Sequence, residues 1–207
     1  MIPDGYSELA PSKIASVVTY LEMRRPPVVP PAAAPLGLAI RRVIKPDLNW
    51  YRELYRAVGQ DWLWFNRLRM SDAELASTLH HPQVHLYELS DNGQGNNEVK
   101  REGKGLLELD RRGAQEVEIA SFGLTADLIG RGAGQYLIGH ALAEAWSHSP
   151  QRVWLHTCTL DHPKALAFYR KAGFVAYKRA IEVADDPRLT GNAPRNAAPG
   201  VPIIEVK

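Results

Sequence analysis

Short apolar runs alternate with polar, glycine-rich breaks along most of the chain, and the period of each run indicates the element it forms. Ile14, Val17, Val18 and Leu21 recur at helical spacing, which predicts a short amphipathic helix over residues 11–23. Five of the ten residues 26–35 are proline, the mark of an extended linker, so the main domain is expected to begin near Leu36. Leu38–Val43 reads as a first strand. Asp47 is placed to cap a helix running through Val58, and Ser71-Asp72-Ala73-Glu74 has the capping-box pattern of a second helix ending near His80. Val84–Leu89, Gly105–Asp110 and Glu116–Phe122 read as strands, with a polar, glycine-rich loop over 91–105. Gly134–Ser147 has helical periodicity, Arg152–Thr159 alternates as a strand, and Pro163–Ala172 reads as a helix with Gly173 at its C-terminal end. Phe174–Val183 is a further strand. Beyond about residue 184 the chain turns irregular and proline-rich, with Val201–Val206 as a candidate last strand. The fold class that follows is α/β of the α+β type, with a mixed sheet: residues 1–35 as helix and linker, 36–207 as one domain with an irregular tail.

Composition narrows the function classes. A formal net charge of +2, with Arg and Lys scattered rather than banded, gives no reason to expect a nucleic-acid partner. No apolar run approaches the ~20 residues of a membrane span, so no membrane partner is expected. Asp4 and Glu8 near the start argue against a secretory signal. Cys158 is the only cysteine, which leaves no intrachain disulfide and fits a reducing, cytoplasmic setting. His80, His81 and His85 straddle a helix end and Pro82 without a carboxylate at ligand spacing, so no metal is expected.

The chemistry concentrates in Leu124–Gly139, where Gly130, Gly132 and Gly134 separate a strand-like run from a helix-like run. Such a loop crowds backbone N–H groups into one small volume, and a helix starting there adds its free N–H groups and dipole, which suits phosphate. The dinucleotide pattern Gly-x-Gly-x-x-Gly fails, since its last position falls on Gln135 or Leu137, and no Gly-Lys-Ser/Thr follows for a Walker loop. Ile129-Gly130-Arg131-Gly132-Ala133-Gly134 resembles the pyrophosphate loop of the GNAT acyltransferases, Gln/Arg-x-x-Gly-x-Gly/Ala, with Ile129 standing where that family has Gln or Arg. Asp161–Phe174 resembles the second signature of the family, Asn-x-x-Ala-x-x-(Leu/Phe)-Tyr-x-x-x-Gly-Phe, with His162 in place of the asparagine. The two segments stand in the family's order and at its spacing, and the resemblance covers roughly residues 38–183.

The resemblance implies a twisted, mostly antiparallel sheet whose central strands splay apart, flanked by helices. It implies acetyl-CoA as cosubstrate, with the backbone at Phe122, Gly123 and Leu124 taking the pantetheine arm. Ile129, Gly130, Arg131, Gly132, Ala133, Gly134 and Gln135 would hold the pyrophosphate, and His162 would lie beside it. The implied activity is N-acetyl transfer to a small-molecule or peptide amine by direct attack in a ternary complex; a catalytically silent acyl-CoA sensor is the alternative. Tyr169 occupies the family position whose hydroxyl faces the thioester sulfur and is the candidate acid. Glu118, eleven residues before Ile129, is the candidate base; a carboxylate near an apolar pocket becomes a better base. His156 is the rival base, since a neutral imidazole picks up protons near pH 7. Cys158 shares the parity of His156 and reads as a small buried residue rather than a nucleophile. Asp161 is placed to cap the helix that follows. Trp62, Trp64 and Phe65 stand where the family walls its acceptor site, or else fill the core. Residues 1–35 and 184–207 are candidates to cover the site or to form a homodimer contact.

Overall fold

The computed structural model describes residues 4–27, 33–35, 37–91 and 103–205. Among them seven strands and four helices follow the order β1 (Lys13–Met23), β2 (Leu38–Val43), α1 (Leu48–Gly59), α2 (Asp72–Leu79), β3 (Val84–Asp91), β4 (Gly103–Asp110), β5 (Glu116–Leu124), α3 (Ala133–Trp146), β6 (Arg152–Cys158), α4 (Ala165–Lys171) and β7 (Val175–Asp185). They form one sheet in the order β2-β3-β4-β5-β6-β1-β7, antiparallel throughout except for the β5–β6 pair. The fold is therefore α/β of the α+β type, as the periodicity implied.

The caps behave as the sequence indicated. The Asp47 side chain accepts from the Trp50 N–H at 2.9 Å, and Ser71 and Glu74 complete a capping box. Under α3 and α4 one sheet face gathers Leu89, Leu107, Leu109, Val117, Ile119, Val153 and Leu155, together with Leu21 from β1. On the other face α1 and α2 bury Tyr51, Leu54, Leu75 and Leu79 against Leu86 and Leu106.

Two expectations are corrected. Residues 13–23 form a strand, not a helix, and that strand lies between β6 and β7. Ile14, Ser16 and Val18 are buried in strict alternation, then the register against β7 shifts between Tyr20 and Leu21, and Leu21 and Met23 become the buried positions. The slip carries burial from Val18 to Leu21, three residues on, and with the polar Ser16 buried and the apolar Val17 exposed the apolar residues fall at 14, 17, 18 and 21, which imitates a helix turn. The β-branched Ile14, Val17, Val18 and Thr19 carry the opposite preference, and it prevails once both edges of the strand are paired. Second, residues 201–205 form no strand. The tail is organised around Arg188 instead: its guanidinium pairs with Asp186 at 2.7 Å, both nearly fully buried, and donates to the carbonyls of Ala197 (3.1 Å) and Val201 (2.7 Å). Ala197 then packs with Ile14, Leu63 and Phe65. The loop expected over 91–105 falls mostly on residues 92–102, and much of the proline-rich linker on 28–32 and Leu36, outside the described residues.

Candidate active site

β5 and β6 share only three rungs, from Glu116–Arg152 to Glu118–Trp154, and beyond them the two strands have no common ladder. On its other side β5 slips register against β4, with Ile119 opposite Leu109 but Ser121 opposite Glu108, so Ala120 is left over. The slip turns the side chains: Glu118 points to the α1 side, whereas Phe122 packs on the α4 side against Phe168 and Tyr169, at ring-centroid distances of 5.6 and 5.9 Å. A cleft of about 710 Å3 opens along this divergence.

At one end the wall is backbone. Gly130 and Gly132 have φ of +84° and +82°, values that cost a side-chain-bearing residue strain. Gly132 is the N-cap of α3, and the first helical bond runs from the Tyr136 N–H to the Gly132 carbonyl at 3.2 Å. The N–H groups of Gly132, Ala133, Gly134 and Gln135 have no protein acceptor among the described residues, as the first turn of a helix leaves them. Ile129 is 40% exposed at the rim and offers no polar atom. Arg131 lies on the outer side of the loop: its guanidinium donates to the Asp127 carbonyl at 3.4 Å, and it is not a lining residue. Ala133 is fully buried beneath the loop. His162 does line the cleft, with Trp62 edge-on to its ring at 5.0 Å and its Nδ1 accepting the Lys164 N–H.

At the other end the wall is side chain. Glu118 Oε1 stands 3.7 Å from His156 Nδ1 across the last shared rungs. Burial, reinforced by the nearby Asp110 and Glu108 carboxylates, pushes the Glu118 pKa up to about 7. Burial also lowers the His156 pKa, although Asp161 and Glu182 act against it, so the imidazole is neutral at pH 7. Glu116, of the same parity as Glu118, is occupied by Arg152 at 2.5 Å. Tyr169 is buried on α4, and burial, with the Asp161 charge, raises its hydroxyl pKa above the ordinary value. The turn after α4 fixes that residue: the Phe174 N–H donates to the Tyr169 carbonyl (3.1 Å) and the Gly173 N–H to that of Arg170 (3.0 Å). Burial and Asp161 likewise raise the Cys158 pKa, which leaves a thiol rather than a nucleophilic thiolate.

Asp161 does not cap α4. Its carboxylate turns back to β6, accepting from the Thr157 hydroxyl (2.7 Å) and the Cys158 N–H (2.8 Å), and takes the Trp64 indole N–H at 3.0 Å. Trp62, Trp64 and Phe65 all line the cleft, and Phe65 is also part of a buried cluster. Sequence reasoning missed a half-buried ion pair on the floor. Arg67, a lining residue, is held by the fully buried Glu108, which also accepts from the Tyr51 hydroxyl at 2.9 Å. It also missed Glu182 of β7, which reaches the same wall. A lone glutamate in Leu106-Leu107-Glu108-Leu109 was the available signal for the first; nothing local marks the second. His80 is engaged with the Pro46 carbonyl at 3.0 Å and His81 accepts the Gln83 N–H, so both serve the end of α2.

The fold has many likenesses among solved structures. A GNAT acetyltransferase from Sphaerobacter thermophilus aligns with a TM-score of 0.56 at 15% identity, over 83% of this chain and 52% of that one. A tandem GNAT protein of the clavulanic acid pathway gives 0.56 at 16%, over 83% and 54%. An aminoglycoside acetyltransferase from an uncultured soil sample, solved with trehalose, gives 0.53 at 16%, over 70% and 93%. The chain spans about half the length of the first two. No curated protein matches it. The profile of the acetyltransferase (GNAT) family matches residues 52–174, more than half of the sequence and the part that carries the glycine loop, the splayed strands and Tyr169. The chain belongs to the GNAT acetyltransferase family.

Proposed function

We propose that this acetyltransferase moves an acetyl group from acetyl-CoA to an amine by direct attack, with both substrates held together in the cleft. The free N–H groups at Gly132–Gln135 supply the anion cradle that a coenzyme pyrophosphate needs, and the unpaired β5 edge at Phe122–Leu124 offers backbone groups to the pantetheine arm. Acetyl-CoA supplies the activated acetyl thioester; the chain supplies position and proton transfer.

The observation that carries this reading is the Glu118–His156 pair, 3.7 Å apart at the root of the divergence. An acceptor ammonium, with a pKa of about 10.4 if lysine-like, must lose a proton before its nitrogen attacks. A carboxylate poised at about 7 is a far better acceptor for that proton at neutral pH than an ordinary one. Glu118 takes it directly or through His156. On the other side of the slot Tyr169, fully protonated at neutral pH, donates to the departing sulfur. No enzyme acyl intermediate is needed, which agrees with a Cys158 kept as thiol.

The reading is tested by following thiol release from acetyl-CoA with a panel of primary amines, for the native chain and for Glu118→Gln. Turnover with at least one amine, lowered about 100-fold or more by the substitution, supports it. Coenzyme binding without turnover on any amine would favour the sensor.

A further inference from the structure

Two strands whose free edges lie side by side ordinarily zip together, because each rung satisfies backbone groups. β5 and β6 stop after the Glu118–Trp154 rung, so side chains must hold them apart. On the α4 face the wedge is the Phe122, Phe168 and Tyr169 rings. On the α1 face one side chain reaches across. The Trp64 ring lies on Gly123 of β5, where an added Cβ would stand 3.0 Å from its Cη2. It also fills the space above Gly59, where a Cβ would come within 2.5 Å of the ring. Its Nε1–H donates to Asp161 Oδ1 at 3.0 Å. The second Asp161 oxygen is tied to the Thr157 hydroxyl and the Cys158 N–H, the last two residues of β6. Trp64 is thus seated on one diverging strand and anchored to the other.

We propose that Trp64 and Asp161 form a strut that sets the width of the slot between β5 and β6, and are positioning residues for the pantetheine arm. The proposal rests on the reading of the cleft as a coenzyme A site. An indole has only two side-chain torsions, and here the absence of a Cβ at Gly59 and Gly123 fixes the ring plane, so its N–H has one direction to point. Asp161 meets it with an oxygen whose partner oxygen is already locked by β6. The neighbouring rings cannot substitute: Trp62 stands against His162, and Phe65 is packed with Ile14 and Leu63. The strut meets β5 at Gly123 and is not among the neighbours of Gly130, Gly132 or Gly134, so it acts on the arm rather than on the phosphates.

Calorimetric titration of the full chain with two probes separates these ends. Coenzyme A carries the arm; adenosine 3′,5′-bisphosphate is its nucleotide end alone. For Trp64→Phe, which keeps a ring but loses the donor, coenzyme A affinity is expected to fall about five- to tenfold, with bisphosphate affinity unchanged within twofold. Asp161→Ala should match it, and the double variant should lose no more than the larger single loss, since either change breaks the same strut. Equal losses for the two probes, no loss of coenzyme A affinity in Trp64→Phe, or additive losses would overturn the strut. A native chain that binds neither probe would instead overturn the coenzyme reading beneath it.

Discussion

The two ends of the cleft are made of different material. The proposed coenzyme end is one contiguous stretch, Phe122 to Gln135, and presents backbone: free N–H groups, two left-handed glycines and an unpaired strand edge. The proposed acceptor end is assembled from side chains on segments far apart in sequence, with Arg67 before α2, Asp110 at the end of β4 and Arg112 just after it, Glu118 on β5, His156 on β6 and Glu182 on β7. A backbone site is specified by local sequence and tolerates change between its glycines. A side-chain site depends on topology, since it exists only once the sheet order brings its strands together. The two ends should therefore fail in different ways: damage to the first should weaken coenzyme affinity, and damage to the second should slow turnover.

The sharpest break in that comparison is Glu118→Gln. It should lower kcat/KM by about 10²–10³-fold while coenzyme affinity stays within twofold. In the native enzyme kcat/KM should rise as pH passes through about 7, where Glu118 ionises, and this limb should vanish in the variant. Stability moves the other way. The folded pKa lies above the unfolded value, so the folded state holds the extra proton and loses stability as pH rises from about 4.5 through 7. Glu118→Gln should accordingly gain, relative to the native chain, about 2 kcal/mol more at pH 8 than at pH 5 in urea denaturation. Tyr169→Phe comes next, with kcat reduced about 10- to 100-fold and coenzyme binding by calorimetry nearly unaltered, because only the donor is removed from a buried ring.

Changes at the coenzyme end should show the converse. Gly132→Ala places a side chain at φ +82°, at a cost of about 1–2 kcal/mol, and should weaken coenzyme binding about 5- to 30-fold with kcat at saturation preserved. The smallest effect belongs to Ile129→Gln, which returns a polar side chain to the rim beside the loop. A gain of about two- to fivefold in coenzyme affinity is expected, read from the same titration.

The same contrast explains what the sequence could disclose. Six of the strands and all four helices were readable, because each declares itself by period and caps: Asp47 and the Ser71–Glu74 box hold as expected. β1 was not, because a buried Ser16, an exposed Val17 and the slip at Tyr20–Leu21 together put its apolar residues at helical spacing. Its place between β6 and β7 depends on pairings 130 residues away or more. The glycine-rich turn and the helix that starts from it were legible in the sequence, yet Arg131 faces outward, since the helix start leaves it on the outside of the turn. Asp161 shows the limit of a local rule. An acidic residue before a helix reads as a cap, but the Thr157 hydroxyl, the Cys158 amide and the Trp64 indole outcompete a short helix that begins only at Ala165. Arg67 and Glu108 form a pair across 41 residues, and no window of sequence contains both.

Titration of acetyl-CoA into the full chain, with Gly132→Ala and Glu118→Gln alongside, bears most directly on the division between a backbone-built coenzyme end and a side-chain-built catalytic end. Saturable one-to-one binding that Gly132→Ala weakens and Glu118→Gln leaves intact is the expected result. Binding that is absent in the native chain, or lost with Glu118 and indifferent to Gly132, would contradict it.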